Sequence, residues 1–204
     1  LNLGCVPSKM LIYPADRIVE IQEAGKLGIT AEVKNIDFAS IMERMRKSRA
    51  ESQAYIRKSL TEDMDKLDFY EHEGHFVEDY TLEIDAEKIK GKRVFIASGS
   101  RPVIPPIKGL DTIDFLTNEN ALELTRRPDS LVIIGGGYVA VEFAHFFAAL
   151  GTKVTIIEML SRIAQSEEPE ISQLLEKEMK KRMDMSTSTQ VEEIRKDVRA
   201  GVAV

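Results

Sequence analysis

Residues 131–158, LVIIGGGYVAVEFAHFFAALGTKVTIIE, restrict the possible fold more than any other part of the sequence. The segment opens with a continuous apolar, β-branched run, which is typical of a strand buried on both faces of a parallel sheet. Three glycines follow, and apolar residues then recur at three- and four-residue steps up to Gly151, which predicts a helix with a glycine stop. A second apolar run ends at Glu158. The order strand, turn, helix, strand predicts a β-α-β unit.

The spacing of small residues in this unit matches the dinucleotide fingerprint G-x-G-x-x-A. Gly135 fits a tight turn, Gly137 lets backbone N–H groups approach a pyrophosphate, and Ala140 lets the helix pack closely on the strand. Glu158 stands about 20 residues further on, where the fingerprint has an acid that accepts hydrogen bonds from ribose hydroxyls. A 2′-phosphate beside this carboxylate would be repelled, so the acid favours NAD(H) over NADP(H).

Two other interpretations of the glycine-rich turn remain open. An ordinary β-α-β unit without a nucleotide is disfavoured by the conjunction of strand, glycines, helix, second strand and terminal acid. A methyltransferase that binds S-adenosylmethionine can also place a carboxylate on a ribose after a glycine loop, but the G-x-G-x-x-A spacing disfavours it. His145, on the predicted helix, is interpreted as a packed or partly exposed side chain rather than a catalyst.

Composition and charge exclude several classes of function. The chain has 204 residues, of which 43% are hydrophobic and 30% charged, enough for one good core or two small ones. A net charge of −6 offers no basic surface to nucleic acid or to an anionic membrane. No apolar run reaches membrane-spanning length and the first residues do not resemble a signal peptide, so we expect a cytoplasmic protein.

Metal binding and disulfide scaffolding are also not expected. The sequence holds a single cysteine, which excludes an internal disulfide framework and a cysteine-rich metal site. His72 and His75 have acids nearby, but no third and fourth ligands follow at suitable spacing. We therefore interpret both histidines as solvent-facing strand residues and predict no metal site.

Two helices precede a group of strands in the predicted first part of the chain. The opening residues predict a helix, and Ser40 with Glu43 predicts a capping box ahead of a long amphipathic helix. From Asp68 the pattern becomes strand-like and predicts a small antiparallel element, with turns or bulges at Gly74 and residues 85–91. A buried strand is predicted at 94–97.

A proline-rich crossover separates the two predicted halves. Residues 96–110, IASGSRPVIPPIKGL, contain three prolines and two glycines, which favours a stiff, extended domain boundary. We predict domains at 1–110 and 111–204. In the second domain we expect a short helix at 118–125 and two strands, at 185–191 and 198–204. Between them we expect an amphipathic helix at 167–182 with four apolar side chains facing inward: Ile171, Leu174, Leu175 and Met179.

Cys5 lies in the segment LNLGCVPSK, at or just before the first turn of the predicted first helix. There the helix dipole and the unpaired N–H groups favour the thiolate form of a cysteine. Without further context this residue would be interpreted as a buried free cysteine. The segment, however, closely resembles the redox-active C-x-x-x-x-C-x-P-x-K segment of the FAD-dependent pyridine nucleotide-disulfide oxidoreductases, a family that includes dihydrolipoamide dehydrogenase, glutathione reductase and mercuric reductase. Cys5 matches its second, charge-transfer cysteine, and Lys9 matches the lysine near the flavin.

The resemblance continues in family order along the whole chain. IASGSRP resembles the A-T-G-S-x-P segment between the FAD and NAD domains, and GGGYVAVE resembles the NAD phosphate loop. Gly74 falls where the family contacts the FAD adenine, and Val191 falls on the adenine side of NAD. The cofactor-binding residues implied in this way are Lys9, Gly74, Ser98, Gly99, Ser100, Gly135, Gly136, Gly137, Tyr138, Val139, Ala140, Val141, Glu142, Glu158 and Val191.

Several elements of the family pattern do not occur in the sequence. The first, interchange cysteine would stand immediately before Leu1, and the FAD-binding G-x-G-x-x-G unit would precede it. The second FAD segment, the dimer-interface domain and the acid-base His-Glu pair are not found before Val204. We therefore expect an α/β chain with Rossmann-like FAD- and NAD(P)-binding domains in three layers, a parallel sheet with an antiparallel β-meander, truncated at both ends, with 1–110 as a partial FAD domain and 111–204 as an incomplete NAD domain.

The resemblance implies a flavoprotein that transfers electrons between NAD(H), FAD and a redox cysteine pair, with Cys5 as its catalytic residue. It also implies a homodimer acting on a small-molecule or lipoyl-domain disulfide or dithiol, with lipoamide as first choice. Mercuric ion and other low-molecular-weight disulfides are the alternatives. The 204-residue chain on its own is expected to be inactive. A non-enzymatic alternative is an isolated NAD-binding or structural module that needs a partner chain.

Overall fold

The computed structural model describes residues 3–62 and 66–196. Two compact units are present, Leu1–Ala50 with Ile104–Val204, and Glu51–Val103. The division into FAD and NAD domains near residue 110 stays a prediction. The helices of the described residues are α1 (Cys5–Glu23), α2 (Phe38–Glu62), α3 (Tyr138–Ala149) and α4 (Pro169–Met179). The strands are β1 (Gly74–Glu78), β2 (Thr81–Ile84), β3 (Glu87–Lys90), β4 (Ser130–Ile134), β5 (Lys153–Ile157) and β6 (Asp184–Ser186).

The predicted β-α-β unit is confirmed. Strands β4, β5 and β6 form a parallel sheet in that order, with Leu131 opposite Val154 and Ile156 opposite Met185. Helix α3 connects β4 to β5 and ends before Gly151, whose φ of +92° is the left-handed conformation expected of a glycine stop. The α/β, Rossmann-like fold expected from the sequence is therefore present in this part of the chain.

The main core lies where three helices meet the parallel sheet. Phe146 and Phe147 of α3 are each 1% exposed, and the ring of Phe38 from α2 lies 6.1 and 6.3 Å from theirs. Leu11 of α1 and Met42 of α2 complete this contact and are also almost fully buried. Burial of several large apolar side chains fixes α1 and α2 against α3.

The predicted capping box of α2 is wrong. The helix begins at Phe38, and the Oδ1 atom of Asp37 accepts a hydrogen bond from the Ser40 backbone N–H at 3.0 Å. Asp37 therefore has the capping role that the sequence analysis gave to Ser40. The earlier start has a packing reason, because Phe38 is 6% exposed and its ring lies among the phenylalanines of α3.

The antiparallel element is confirmed as the meander β1-β2-β3, but its details differ from the prediction. Asp85 and Ala86 both have positive φ and form a two-residue hairpin turn, so β3 occupies positions that were predicted as turn. The buried strand predicted at 94–97 is wrong. Phe95 and Ile96 are 89% and 77% exposed, and no strand of the described residues pairs with this segment.

Helix α4 buries, at least partly, two of the four side chains that were predicted to face inward, Leu175 and Met179. Ile171 and Leu174 are 55% and 57% exposed, whereas Ser172 is fully buried and Met179 is 3% exposed. The buried face therefore begins at Ser172, whose hydroxyl donates to the backbone carbonyl of Ile163. A polar residue at a core position is satisfied by this bond, and its burial could not be recognised from an apolar periodicity.

The remaining expectations concern short elements and the end of the chain. The helix predicted at 118–125 is a single 3-10 turn, Asn120–Glu123, and the strand predicted at 185–191 is confined to β6. The strand predicted at 198–204 lies outside the described residues.

None of the described helices has the length and apolar character to cross a membrane. Within 3–62 and 66–196, no cluster of three or more His, Cys, Asp or Glu side chains is arranged to bind a metal ion.

Candidate functional site

The three glycines lie at the carboxyl end of β4, directly before α3. The Gly135 N–H donates to the carbonyl of Ile157 at 2.8 Å, which extends the parallel pairing by one residue, and its φ is +103°. Gly137 is the residue before α3, and its carbonyl accepts the hydrogen bond from the Val141 N–H at 3.0 Å. The amides of the first helical residues therefore have no helix carbonyl as partner, and they carry the positive end of the helix dipole. Those first residues are Tyr138, Val139 and Ala140.

Glu158 follows β5 and its carboxylate faces the glycine loop. The side chain is 7% exposed. Its Oε2 atom accepts a hydrogen bond from the Gly136 N–H, and its Oε1 atom accepts one from the Leu160 N–H at 2.6 Å. Two backbone amides thus fix the orientation of the carboxylate, and they leave each oxygen with further acceptor capacity.

The space in front of the loop suits a dinucleotide. A Cβ atom placed on Gly137 would have no heavy atom within 4 Å, so this glycine leaves open space beside the free amides of α3. Helix N-terminal amides are donors for phosphate oxygens, and a carboxylate is an acceptor for ribose hydroxyls. The donors and the acceptor present at this site fit an NAD-type cofactor.

Two segments that were not predicted as part of the site support the glycine loop and Glu158. The Ala164 N–H donates to the carbonyl of Gly136 at 2.7 Å, and Ile163 is fully buried beside it. The Glu158 backbone also has two contacts: its N–H donates to the carbonyl of Ser186 at 2.8 Å, and its carbonyl accepts from the Thr189 N–H at 3.0 Å. All four contacts of this support use backbone or apolar groups. No residue type in these segments could therefore have indicated the role.

Val191 comes two residues after Thr189 and is partly buried. It follows the segment that contacts Glu158, which is compatible with its predicted place on the adenine side of the nucleotide. Its contact with the cofactor stays a prediction.

Cys5 is the first residue of α1, and its side chain is exposed. One turn later, Lys9 forms an ion pair with Glu142 of α3, so two residues predicted to bind cofactors contact each other. Burial raises the pKa of Glu142, but hydrogen bonds from Lys9 and Ser8 and the positive charge of Lys9 lower it by more, so the pKa lies below its usual value. The carboxylate therefore stays ionised beside the lysine.

The ion pair brings the starts of two helices together. Lys9 is one turn after Cys5, and Glu142 is one turn after Tyr138. Further along, Asp16 of α1 contacts His145 of α3, so the two helices run in the same direction. The thiol and the loop at residues 135–137, the dinucleotide loop, consequently lie at the same end of the helix pair.

The remaining predicted residues lie in the unit Glu51–Val103. Ser98, Gly99 and Ser100 are exposed and outside regular structure, and Gly99 has a φ of +76° with no heavy atom within 4 Å of an added Cβ. Gly74 begins β1, where a Cβ would come within 2.9 Å of the Ile84 side chain. Packing against Ile84 is therefore one reason for the glycine at 74, independent of any cofactor.

Comparison with known proteins gives the same assignment for the whole chain. Residues 1–204 match the family described as pyridine nucleotide-disulphide oxidoreductase. A mercuric reductase from Lysinibacillus sphaericus is 32% identical over 177 residues, which cover 87% of this chain and 32% of the relative. A dihydrolipoyl dehydrogenase from Geobacillus stearothermophilus is 34% identical over 193 residues, which cover 89% of this chain and 39% of the relative.

A solved structure is similar over nearly the full chain. The HOCl-induced flavoprotein disulfide reductase RclA from Escherichia coli matches with a TM-score of 0.77 and 28% sequence identity. The match covers 96% of this chain and 42% of that structure. The chain spans about a third to two fifths of the length of these relatives. The resemblance inferred from the motifs is confirmed.

Proposed function

The chain belongs to the pyridine nucleotide-disulphide oxidoreductase family, and on this premise we propose that it carries the dinucleotide loop and the redox helix of a flavin-dependent disulfide oxidoreductase. The whole enzyme would pass electrons between NAD(H), FAD and a pair of cysteines. The observation that carries this proposal is that the Glu158 carboxylate is held against the glycine loop. This loop lies at the same end of the helix pair α1 and α3 as Cys5.

In this proposal the dinucleotide loop holds NAD(H). The amides at the start of α3 bind the pyrophosphate, and Glu158 accepts from the ribose hydroxyls. Its negative charge disfavours a 2′-phosphate, which supports NAD(H) rather than NADP(H).

The redox part of the proposal places Cys5 as the thiolate that faces FAD and Lys9 as the residue that holds a positive charge nearby. FAD, when bound, supplies two-electron transfer between a nicotinamide and sulfur. Gly74 and residues 98–100 are proposed as further FAD contacts. The two exposed serines around Gly99 offer hydroxyl donors, and the glycine leaves open space for a close approach.

We propose a lipoyl disulfide or dithiol as substrate. The similarity to a dihydrolipoyl dehydrogenase supports this choice, at 34% identity. Mercuric ion is the second candidate, because mercuric reductases are similar to the chain to the same extent, at 32% and 34% identity. A homodimer and a cytoplasmic location are proposed from the family resemblance.

A fluorescence titration of the purified chain with NADH tests the dinucleotide site. We expect saturable binding, weaker binding of NADPH, and an affinity for NADH about tenfold lower in Glu158→Ala, because hydrogen bonds to a charged group each contribute about 1.5–3 kcal/mol. Glu170→Ala removes an exposed acid on α4 and serves as the matched control.

Absence of saturable NADH binding to the wild-type chain would contradict the proposal. So would an equal affinity of the wild type and Glu158→Ala. Tight flavin uptake on addition of FAD would contradict the alternative of an NAD-binding module that needs a partner chain.

A further inference from the structure

His145 of α3 bridges two other elements of its unit. Its Nε2 atom lies 2.8 Å from the Oδ1 atom of Asp16 on α1, and its Nδ1 atom lies 3.1 Å from the Nη1 atom of Arg182, just after α4. A guanidinium can only donate, so Nδ1 of the imidazole is the acceptor and Nε2 carries the hydrogen that is donated to Asp16. The two neighbours therefore select a single tautomer of the neutral ring.

The environment of His145 differs from that of the other two histidines. Its side chain is 16% exposed, whereas the side chains of His72 and His75 are 64% and 70% exposed. A hydrogen bond at a mostly buried position is better shielded from water than one on the surface, and it holds its partners in a narrower range of positions.

The contact with Asp16 is the second polar link between α1 and α3. The first is the ion pair between Lys9 and Glu142. Lys9 and Asp16 are seven residues apart on one face of α1, and Glu142 and His145 are three apart on one face of α3. A single link would leave α1 free to rotate or shift relative to α3. Two links at different positions along the helix axes restrict both movements.

We propose that His145 is a positioning residue, which fixes α1 against α3 and thereby sets the distance between the Cys5 thiol and the dinucleotide loop. The inference rests on the proposed function, because it assigns His145 a role in the relation between thiol and dinucleotide. His145 contacts neither of them. Its effect passes through the two helices, each of which begins at one part of the site.

Thiol alkylation in the presence and absence of NADH tests this role. Cys5 is the single cysteine of the chain, so the rate of reaction with iodoacetamide reports this position alone. Bound NADH at the start of α3 hinders the reaction at the neighbouring helix start, so saturating NADH slows alkylation of the wild type by about fivefold. The measured quantity is the ratio of the alkylation rate without NADH to the rate with saturating NADH. In His145→Ala and Asp16→Ala this ratio falls towards one, while saturable NADH binding is retained.

Two variants separate positioning from general stability. His145→Gln keeps an N–H that can donate to Asp16, and it restores the ratio at least in part. His75→Ala removes an exposed histidine in the unit Glu51–Val103 and leaves the ratio at the wild-type value. Should His145→Ala fold poorly, Asp16→Ala gives the same test, since the Asp16 side chain is 47% exposed.

An unchanged ratio in the Asp16 or His145 alanine variants would overturn the inference. A wild-type ratio of one with NADH bound would do the same. The titration that accompanies each alkylation distinguishes these results from failure of the proposed function, in which NADH does not bind to the wild type at all.

Discussion

The three glycines of the dinucleotide loop differ in the physical restrictions that act on them. Gly135 has a φ of +103°, which other residues rarely adopt. Gly136 is confined, because an added Cβ would lie 2.8 Å from the Ile163 side chain and 3.0 Å from the Glu158 carboxylate. Gly137 has neither restriction, since its φ is −71° and an added Cβ would meet no heavy atom within 4 Å. Of the three, only Gly137 is left without a reason within the protein itself.

Alanine at Gly137 is expected to reduce NADH binding without affecting the fold. The new methyl group would occupy the space that the pyrophosphate needs, so the affinity falls at least about tenfold while the melting temperature stays within about 1 °C of the wild type. Gly136→Ala is the comparison variant, and overpacking there costs about 1–3 kcal/mol of unfolding free energy. Equal melting temperatures for the two variants would contradict this division of roles.

Glu193 gives a pH-dependent contribution to stability. Its carboxylate accepts from Arg195 at 2.6 Å and pairs with Lys108 at 2.9 Å. The hydrogen bond from Arg195, followed by the one from Lys108, lowers the pKa of Glu193 to about 2. A carboxyl group whose pKa is lower in the folded state stabilises the fold above its unfolded pKa, and this contribution is lost as the pH falls towards the folded pKa.

Glu193→Gln is therefore expected to lower the melting temperature at pH 7. The difference from the wild type narrows as the pH falls from 4.5 towards 2, where the native carboxyl group also becomes neutral. Thermal unfolding followed by circular dichroism over this pH range measures the effect, with Glu192→Gln as the neighbouring control. A difference that stays constant with pH would show that the charge of Glu193 is not its cause.

At the scale of elements, the start of α2 shows how packing selects between two possible caps. Asp37 and Ser40 are both residue types that cap helices, and the sequence pattern favoured Ser40 because Glu43 follows it. Burial of Phe38 among the phenylalanines of α3 requires the helix to begin earlier. A contact with residues more than a hundred positions away in the sequence thus decided a local boundary.

Asp37→Ala is expected to destabilise the chain by about 0.5–2 kcal/mol, because the Ser40 amide loses its acceptor. Asp37→Asn retains an oxygen at this position, so it keeps most of the unfolding free energy that Asp37→Ala loses. Ser40→Ala is the matched control and stays within about 0.5 kcal/mol of the wild type. Chemical denaturation measures all three variants, and a larger loss for Ser40→Ala than for Asp37→Ala would reinstate the capping box.

The elements that the sequence predicted well are those with a local chemical signature. The β-α-β unit was recognisable because its glycines, apolar runs and terminal acid occur in one continuous segment. The strand predicted at 94–97 failed, since an apolar run forms a strand only where another strand pairs with it, and pairing is not visible in the run itself. The buried face of α4 was predicted only in part, because a buried serine interrupts its apolar pattern.

In the site, the same distinction separates what was predicted from what was missed. Gly135, Gly137 and Glu158 were found from their spacing, and the structure brings the glycine loop and the acid together. The support from Ile163 and Ala164 consists of a backbone amide and an apolar contact, which many sequences could provide. The contact of Asp16 with His145 depends on how α1 packs against α3, and no sequence spacing encodes it.

At the scale of the whole molecule, burial is unevenly distributed between the two units. Most of the large buried side chains belong to α1, the start of α2, α3 and β5. In the unit Glu51–Val103, all residues of β1 are exposed, and exposed apolar side chains continue through Phe95, Ile96 and Val103. A segment with few buried contacts opens at a lower free energy than a packed core.

Limited proteolysis is therefore expected to cleave the chain within residues 92–104 before it cleaves the segment from β4 to β5. Chymotrypsin is suited to this test, because Phe95 is 89% exposed while Phe146 and Phe147 are each 1% exposed. Mass spectrometry of the early fragments identifies the sites. First cleavage after Phe146 or Phe147 would contradict the assignment of the core.

The two amides that hold the Glu158 carboxylate would limit a redesign of the cofactor preference that we propose for this site. Replacing Glu158 with arginine would supply a cation for a 2′-phosphate, but it would also leave the N–H groups of Gly136 and Leu160 facing a positive charge. The loop that the carboxylate supports would lose its shape together with the proposed selectivity for NAD(H). Exchange of NAD for NADP in this framework therefore requires a rebuilt turn after β5, with a new acceptor for each of these amides.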